Sequence, residues 1–400
     1  MRIIGKEIGK ISNIVLIVFL ILFSLLYVSE IPSMSANWWD HTASAYDVDL
    51  HRELIGIFGA TVTEEEWDDL LSFRQGLIND LTDILLDNDV LRNNGIYTYD
   101  MFEERYDELV TERNDNELLQ EFDRIFFDDD VTSPLCFKIQ AIDFLISAKD
   151  EGYVFCSPED EDTERKINAL YGLRASSIEI RERVTELWTG NELSLLHEAL
   201  TENVKDDLVR MTVLSVIWCF VLILPYQITE RLRNVRDLQL TSKTGRDIYR
   251  KQTCVCALAG LVIGILVAGV YAILLWRKGA FAFIMCPINI PVIHYWTDMT
   301  YGQFLLLYAA ELIMTSVTAA LLAYIIGRAS SNYITGLGIS IPSAVLLCAA
   351  VRYFMSSPLE LIRPRTVSYI FVLIPLIILP AVFIILTRAV LKHDKVRDIL

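Results

Sequence analysis

ITERLRNVRDLQLTSKTGRDIYRKQ, residues 228–252, lies between two long apolar runs and carries seven basic residues: Arg231, Arg233, Arg236, Lys243, Arg246, Arg250 and Lys251. That density in one short inter-helix loop marks the cytoplasmic side of a multi-pass membrane protein. Ile228, Leu232, Val235 and Leu238 recur at steps of four, three and three, so they line one face of a helix. Glu230, Arg231, Arg233 and Asp237 lie off that line. Thr241, Ser242 and Gly245 break the helix, and a second helical run, 246–252, leads into the next apolar segment. An amphipathic helix lying flat under a bilayer with a charged upper surface is a handle that a soluble partner can grip.

Working outward, 53% of the 400 residues are hydrophobic and the mean hydropathy is +0.38, too apolar for a soluble protein of this size. Charge is divided unevenly along the chain. Residues 29–208 hold 43 acidic against 14 basic side chains, a balance of −29, whereas the whole chain carries −17. One strongly acidic domain is therefore set in a basic membrane part. Its sign argues against nucleic acid as a partner and leaves cationic ligands, or simple solubility, as readings. Of the seven cysteines, Cys219, Cys254, Cys256 and Cys348 lie in apolar runs and read as packing residues. Cys136 and Cys156 fall in the acidic domain, where an extracytoplasmic location leaves open either a disulfide or two free thiols.

Residues 1–12 form a basic amphipathic element with Arg2, Lys6 and Lys10 among isoleucines, suited to the inner membrane interface. Residues 13–30 read as the first span, an uncleaved signal-anchor in preference to a cleaved signal peptide. The acidic domain, 31–208, carries helical signals and little strand alternation. Thr63 to Glu66 reads as a capping box, and helical runs are expected at 67–85, 99–110, 116–127, 134–149, 162–173, 177–188 and 191–208. The remainder, 209–400, contains spans at 211–229 (kinked near Pro225), 253–276, 304–327, 333–351 and 367–387, the last with Pro375 and Pro380 inside it. Basic residues in the segments assigned inside number fifteen against five in the short outer loops, which sets both termini in the cytoplasm. Residues 352–366 carry three arginines on the outer side together with Pro358 and Pro364, and are expected to form a structured hairpin, re-entrant or not, in place of a free loop. The fold class is thus an all-α membrane protein with six transmembrane helices and a large helical extracytoplasmic domain between the first two, at the cell membrane and in contact with its lipid.

No catalytic or cofactor constellation stands out, and none is expected. The segment Thr241-Ser242-Lys243-Thr244-Gly245 lacks the first glycine and preceding strand of a phosphate-binding loop. His197-Glu198 lacks the second histidine of a zinc protease helix, and the acidic runs lack calcium-loop spacing. Gly260 and Gly264 permit close helix approach, more simply within the chain than across a dimer. Glu311 sits inside the fourth span, where a carboxylate costs about 2.5–3.5 kcal/mol on insertion scales. It should therefore face protein or water, either in a transport path or in a buried hydrogen bond to Tyr308 or a neighbouring helix.

Glu230, Leu238, Leu240, Thr241-Ser242, Gly245-Arg246 and Lys251 stand in the order and spacing found after the second span in the permease subunits of type-2 ATP-binding-cassette (ABC) transporters. Ser242 to Arg246 resembles the variant of bacterial exporters of that family. The similarity extends to the basic N-terminal element, the six spans, the outer domain and the structured outer segment. Asn234 and Arg236 depart from the pattern. The resemblance implies that 228–240 is a coupling helix docking on a separate cytosolic ABC ATPase subunit through Glu230, Arg233, Arg236, Leu238, Leu240, Ser242, Gly245, Arg246 and Lys251. It also implies a second permease, identical or different, and export of a peptide, lipid or drug-like molecule, with ATP hydrolysis on the partner chain. The competing reading is a membrane-anchored sensor or immunity protein whose acidic domain captures an external cationic peptide. An ordinary positive-inside linker would also account for the loop.

Overall fold

The computed structural model describes residues 11, 14–29, 45–112, 117–154, 161–172, 177–233, 245–291, 293–356 and 359–397. The helices are α1 (Ile14–Ser29), α2 (Ala45–Phe58), α3 (Trp67–Leu86), α4 (Asp89–Asn93), α5 (Tyr99–Glu112), α6 (Glu117–Asp123), α7 (Thr132–Asp150), α8 (Glu161–Tyr171), α9 (Ile178–Trp188), α10 (Glu198–Leu232), α11 (Gly245–Arg277), α12 (Tyr301–Ala329), α13 (Tyr333–Met355), α14 (Arg365–Leu373) and α15 (Leu379–Arg397). Two short strands, β1 (Thr61–Thr63) and β2 (Glu192–Ser194), pair antiparallel with Val62 opposite Leu193. The chain divides into two compact units: Trp39–Ala199 with Met285–His294, and Met1–Trp38 with Leu200–Ile284 and Tyr295–Leu400.

The first unit is the acidic one. Trp67, Leu70, Leu77, Ile78, Leu81 and Leu85 recur at helical spacing on α3 and join Phe102, Phe122, Phe126, Ile139, Ile142 and Leu145 in one core. Phe102 stacks on Phe122 at 4.4 Å between ring centroids, and Tyr106 lies 4.6 Å from Phe126. Between α6 and α7 the chain passes through a π turn at Arg124–Asp128, and the Asp129 carboxylate accepts the Val131 and Thr132 N–H groups to open α7. The helix over 191–208 expected from sequence begins at Glu198 instead, because 192–194 are taken by the ribbon. At Thr63–Glu66, the Glu66 carboxylate accepts both the Thr63 N–H (3.0 Å) and the Thr63 hydroxyl (2.8 Å). This is the glutamate arm of the box, closing a turn just before α3. Cys136 is buried in this core, and burial pushes its thiol up to about 12; Cys156 lies outside the described residues.

The second unit is apolar. Five helices are long and apolar enough to cross a membrane: Glu198–Leu232, Lys251–Arg277, Tyr301–Ala329, Tyr333–Met355 and Arg365–Val390. Leu258, Val262, Leu266 and Trp276 on α11, Ile334, Ile341 and Leu346 on α13, and Ile385 on α15 are exposed. Apolar surface on this scale is stable only in lipid or against a partner, so the chain is a multi-pass membrane protein. The bent pair Leu118–Phe127 and Thr132–Asp150 also passes by length and composition, yet supplies core residues of the acidic unit. At 16 residues α1 spans about 24 Å, short of the ~30 Å hydrocarbon layer. It is fixed to α10 by Trp218, whose indole donates to Ser24 Oγ at 2.8 Å, and by Tyr27, which donates to the Arg210 carbonyl at 3.3 Å. Apart from Ile11, the N-terminal element 1–12 lies outside the described residues.

α12 is the centre of this unit. A capping box opens it: Gln303 N–H donates to Thr300 Oγ1 (3.3 Å) and Thr300 N–H to Gln303 Oε1 (3.1 Å). That start lies three residues before the one expected from hydropathy. α11 meets α12 through its glycines. A Cβ on Gly260 would fall 2.7 Å from Ala320 Cβ, and one on Gly264 2.8 Å from Ile313 Cα. Gly260 and Gly264 thus serve packing within the chain. α10 runs unbroken through Pro225. In the last span Pro375 and Pro380 lack the N–H groups that an α-ladder needs, and the chain slips into a π turn at Ile374–Ile378. The segment after α13 is pinned as expected: Trp296 donates from its backbone to Leu359 O (2.9 Å) and from its indole to Arg363 O (2.9 Å), while Tyr295 bridges Glu360.

Candidate functional site

The ends of the central loop are held together. Gln252 Nε2 donates to Glu230 Oε2 at 2.6 Å, joining the last turn of α10 to α11. Next to it, the Arg231 guanidinium donates to three successive carbonyls, Arg328 (3.4 Å), Ala329 (3.0 Å) and Ser330 (2.8 Å). A cation on the last carbonyls of α12 satisfies acceptors that have no partner within the helix and meets the negative end of its dipole. Thr229 gives its one hydroxyl proton to Pro225 O (2.7 Å), so Tyr333 must donate to Thr229 Oγ1 at 2.5 Å, which ties in α13. A Cβ on Gly327 would fall 2.7 Å from Gln227 Cβ, so here α10 and α12 touch. Four helix ends therefore meet at the loop's base.

Of the loop residues singled out by sequence, Glu230 and Lys251 are half-buried at this base and Arg233 is exposed beside it. Gly245 and Arg246 open α11. Arg236, Leu238, Leu240 and Ser242 lie outside the described residues. Arg231, Gln252 and Tyr333 were not singled out, although Arg231 stands in the same charged run. Gln252 carries no sequence signal that could have found it.

Glu311 sits deep on α12. Tyr301, Phe304, Tyr308, Glu311 and Thr315 recur at steps of three and four, and all are buried on one face. Glu311 is 0% exposed, and among the described residues neither carboxylate oxygen has a hydrogen-bond partner. The Tyr308 hydroxyl donates to Met355 O at 3.0 Å instead of to Glu311. Among the described residues the Thr315 hydroxyl, one turn on, has no partner either. A second polar seam runs beside it, where Ser316 Oγ and Ser215 Oγ lie 2.8 Å apart between α12 and α10.

Nearer the Tyr301 end is a buried ion cluster that sequence reasoning missed. The Lys205 ammonium reaches Glu202 at 2.5 Å and also binds Glu360, joining α10 to the turn before α14. The Tyr271 hydroxyl donates to Asp207 at 3.2 Å. No family profile, no curated protein and no solved structure matches this chain. Among the described residues, no three His, Cys, Asp or Glu side chains are placed to hold a metal ion.

The acidic unit contributes a histidine site at Met285–His294. Trp188, whose indole can only donate, gives its Nε1–H to His294 Nε2 at 3.1 Å. The His294 proton must then sit on Nδ1, where the ring donates to the Tyr171 oxygen at 2.6 Å. Burial, aided by the Arg183 charge, holds His294 down to about 4. His197 Nδ1 accepts the Ala199 N–H at 3.1 Å at the start of α10; burial and the neighbouring His51 hold it down to about 3. His51, its ring 5.0 Å away, gives its Nδ1–H to Leu195 O and is also lowered by burial.

Proposed function

We propose that this chain is the membrane-spanning permease subunit of an ATP-driven ABC exporter, with the acidic domain outside the cell and both termini in the cytoplasm. One observation supports this above the others: the central loop is anchored at its base to four helices at once, through Glu230–Gln252, Arg231 on the end of α12, and Thr229–Tyr333. A loop that merely linked two spans would need no such fastening. Force applied to 228–240 passes into α10, α11, α12 and α13 together. ATP would close a dimer of cytosolic ATPase subunits and drive two coupling helices toward each other. The helix ends would follow as packed bodies, and the bundle would tilt open on the far side. Hydrolysis belongs to the partner; this chain positions, transmits and encloses. The exposed Arg233, with Arg236, would meet acidic residues of that partner. The cargo class is a peptide, lipid or drug-like molecule.

The test is co-purification from the native membrane. A cytosolic ATPase should copurify with the wild-type chain and be lost from the Arg233→Glu, Arg236→Glu double variant at unchanged expression. Cysteine accessibility at a Thr241→Cys position should report labelling from the cytoplasmic side alone. Labelling from outside, or no ATPase in any preparation, would return the chain to the sensor reading.

A further inference from the structure

A carboxyl group in the middle of an apolar bundle has few stable states. An ionised carboxylate there needs a cation or several donors within reach, since isolated charge is not tolerated at low dielectric. Glu311 has neither: both oxygens are buried and without a partner among the described residues. Its depth is considerable. α12 begins at Tyr301, so Glu311 lies ten residues in, about 15 Å along the axis and half the ~30 Å hydrocarbon thickness. Charged groups on the described elements packed around α12 include Glu202, Lys205, Asp206, Asp207 and Arg210 of α10, Arg277 of α11, Arg352 of α13, and Glu360. Lys205 is engaged by Glu202 and Glu360, which leaves its ammonium committed elsewhere. Tyr308 lies within electrostatic reach of Glu311, Tyr295, Glu360 and Glu202.

We propose that Glu311 is a proton-binding site within the membrane, occupied in the conformation seen here and connected toward the Tyr301 end by the hydroxyl-bearing face of α12. The ligand is the proton itself. The packed surroundings favour it over a larger cation, because the carboxyl is completely enclosed. Tyr301, Tyr308 and Thr315 share the Glu311 face at steps of three, four and seven, so a proton meets polar oxygens along the buried side of one helix. On opening to water the carboxyl loses its proton and becomes an anion. The reverse step rebinds it on closure, and no other bond changes. The site stands on the surroundings of Glu311 alone; joined to the exporter reading, it makes turnover pH-dependent.

The experiment is infrared difference spectroscopy on the full-length protein in lipid nanodiscs at neutral pH, wild type against Glu311→Gln. A carboxylic acid C=O band that shifts in deuterium oxide should be present in the wild type and lost from the variant. Glu311→Asp should retain the band at a displaced frequency, and it serves if the glutamine variant fails to assemble. Identical spectra in the acid region, with a carboxylate band lost instead, would show Glu311 ionised and overturn the proposal. Neither result depends on an ATPase, so failure here and failure of the exporter reading are separable: the first leaves co-purification intact, the second leaves the band.

Discussion

Replacing Lys205 by Met should be among the most damaging single changes in the membrane unit. The Lys205 side chain is 5% exposed and that of its partner Glu360 12%, whereas Glu202 is 44% exposed. Methionine matches the stem of lysine but leaves the Glu360 carboxylate enclosed without a cation. Breaking a buried pair from one side costs about 3–5 kcal/mol, because the remaining charge stays desolvated. The half-exposed Glu202 arm adds only about 0–1 kcal/mol. Glu360→Gln should cost less, about 1–2 kcal/mol, since Lys205 keeps Glu202 and glutamine still accepts a hydrogen bond. The double variant should then be more stable than Lys205→Met alone, with a coupling of about 2–3 kcal/mol that exceeds the cost of Glu360→Gln itself. Equilibrium unfolding in mixed micelles, measured for the four proteins of the cycle, reads this directly. If the two single effects simply add to within about 0.5 kcal/mol, the pair is not coupled and the reasoning from burial fails.

Two further outcomes follow from packing and protonation. Gly264→Leu places a Cβ 2.8 Å from Ile313 Cα, so α11 and α12 must separate, at about 1–3 kcal/mol; Gly269→Leu, with nothing within 4 Å, should be near neutral, and equal thermal stabilities for the two variants would contradict the contact. His294 and His197 are neutral when folded and held below the ordinary value of about 6.5. The unfolded chain therefore takes up protons first as pH falls, and stability is full above about pH 6.5 and declines below it, at about 1.4 kcal/mol per pH unit for each ring. For His294 the decline continues to about pH 4 and amounts to roughly 3 kcal/mol. His294→Gln should flatten the acid-unfolding profile followed by circular dichroism, and a superimposable profile would refute the assignment.

Hydropathy made the spans legible because lipid imposes one demand on every residue of a helix, and a run such as 253–276 can hardly be misread. Their ends were less legible, for a local reason. The Thr300–Gln303 capping box was present as T-x-x-Q, but Tyr301 and Gly302 diluted the apolar signal, and the helix looked three residues shorter. The ribbon of Val62 with Leu193 was hidden because three-residue strands show no period, and their pairing depends on residues 131 positions apart. The grouping of Met285–His294 with the acidic unit had the same cause: the Trp188–His294 bond joins positions distant in the chain.

The sites differ in the same way. Charge runs announce themselves, and the central loop was found from its arginines. What ties the base of that loop to its neighbours is Arg231 on the last carbonyls of α12 and Gln252 on Glu230, contacts that exist only once four helices have come together. Glu311 was visible as a lone carboxylate in an apolar run, but sequence left open whether a hydrogen bond satisfied it. The structure sends the donor expected from sequence, Tyr308, to Met355 instead. A buried acid that accepts and donates no hydrogen bond among the described residues is a costly arrangement for a fold to keep. If the group had only a structural part, a glutamine variant that assembles should lose no activity, since a neutral amide needs no cation. Function at position 311 therefore turns on whether the acid, and not merely its volume, is required.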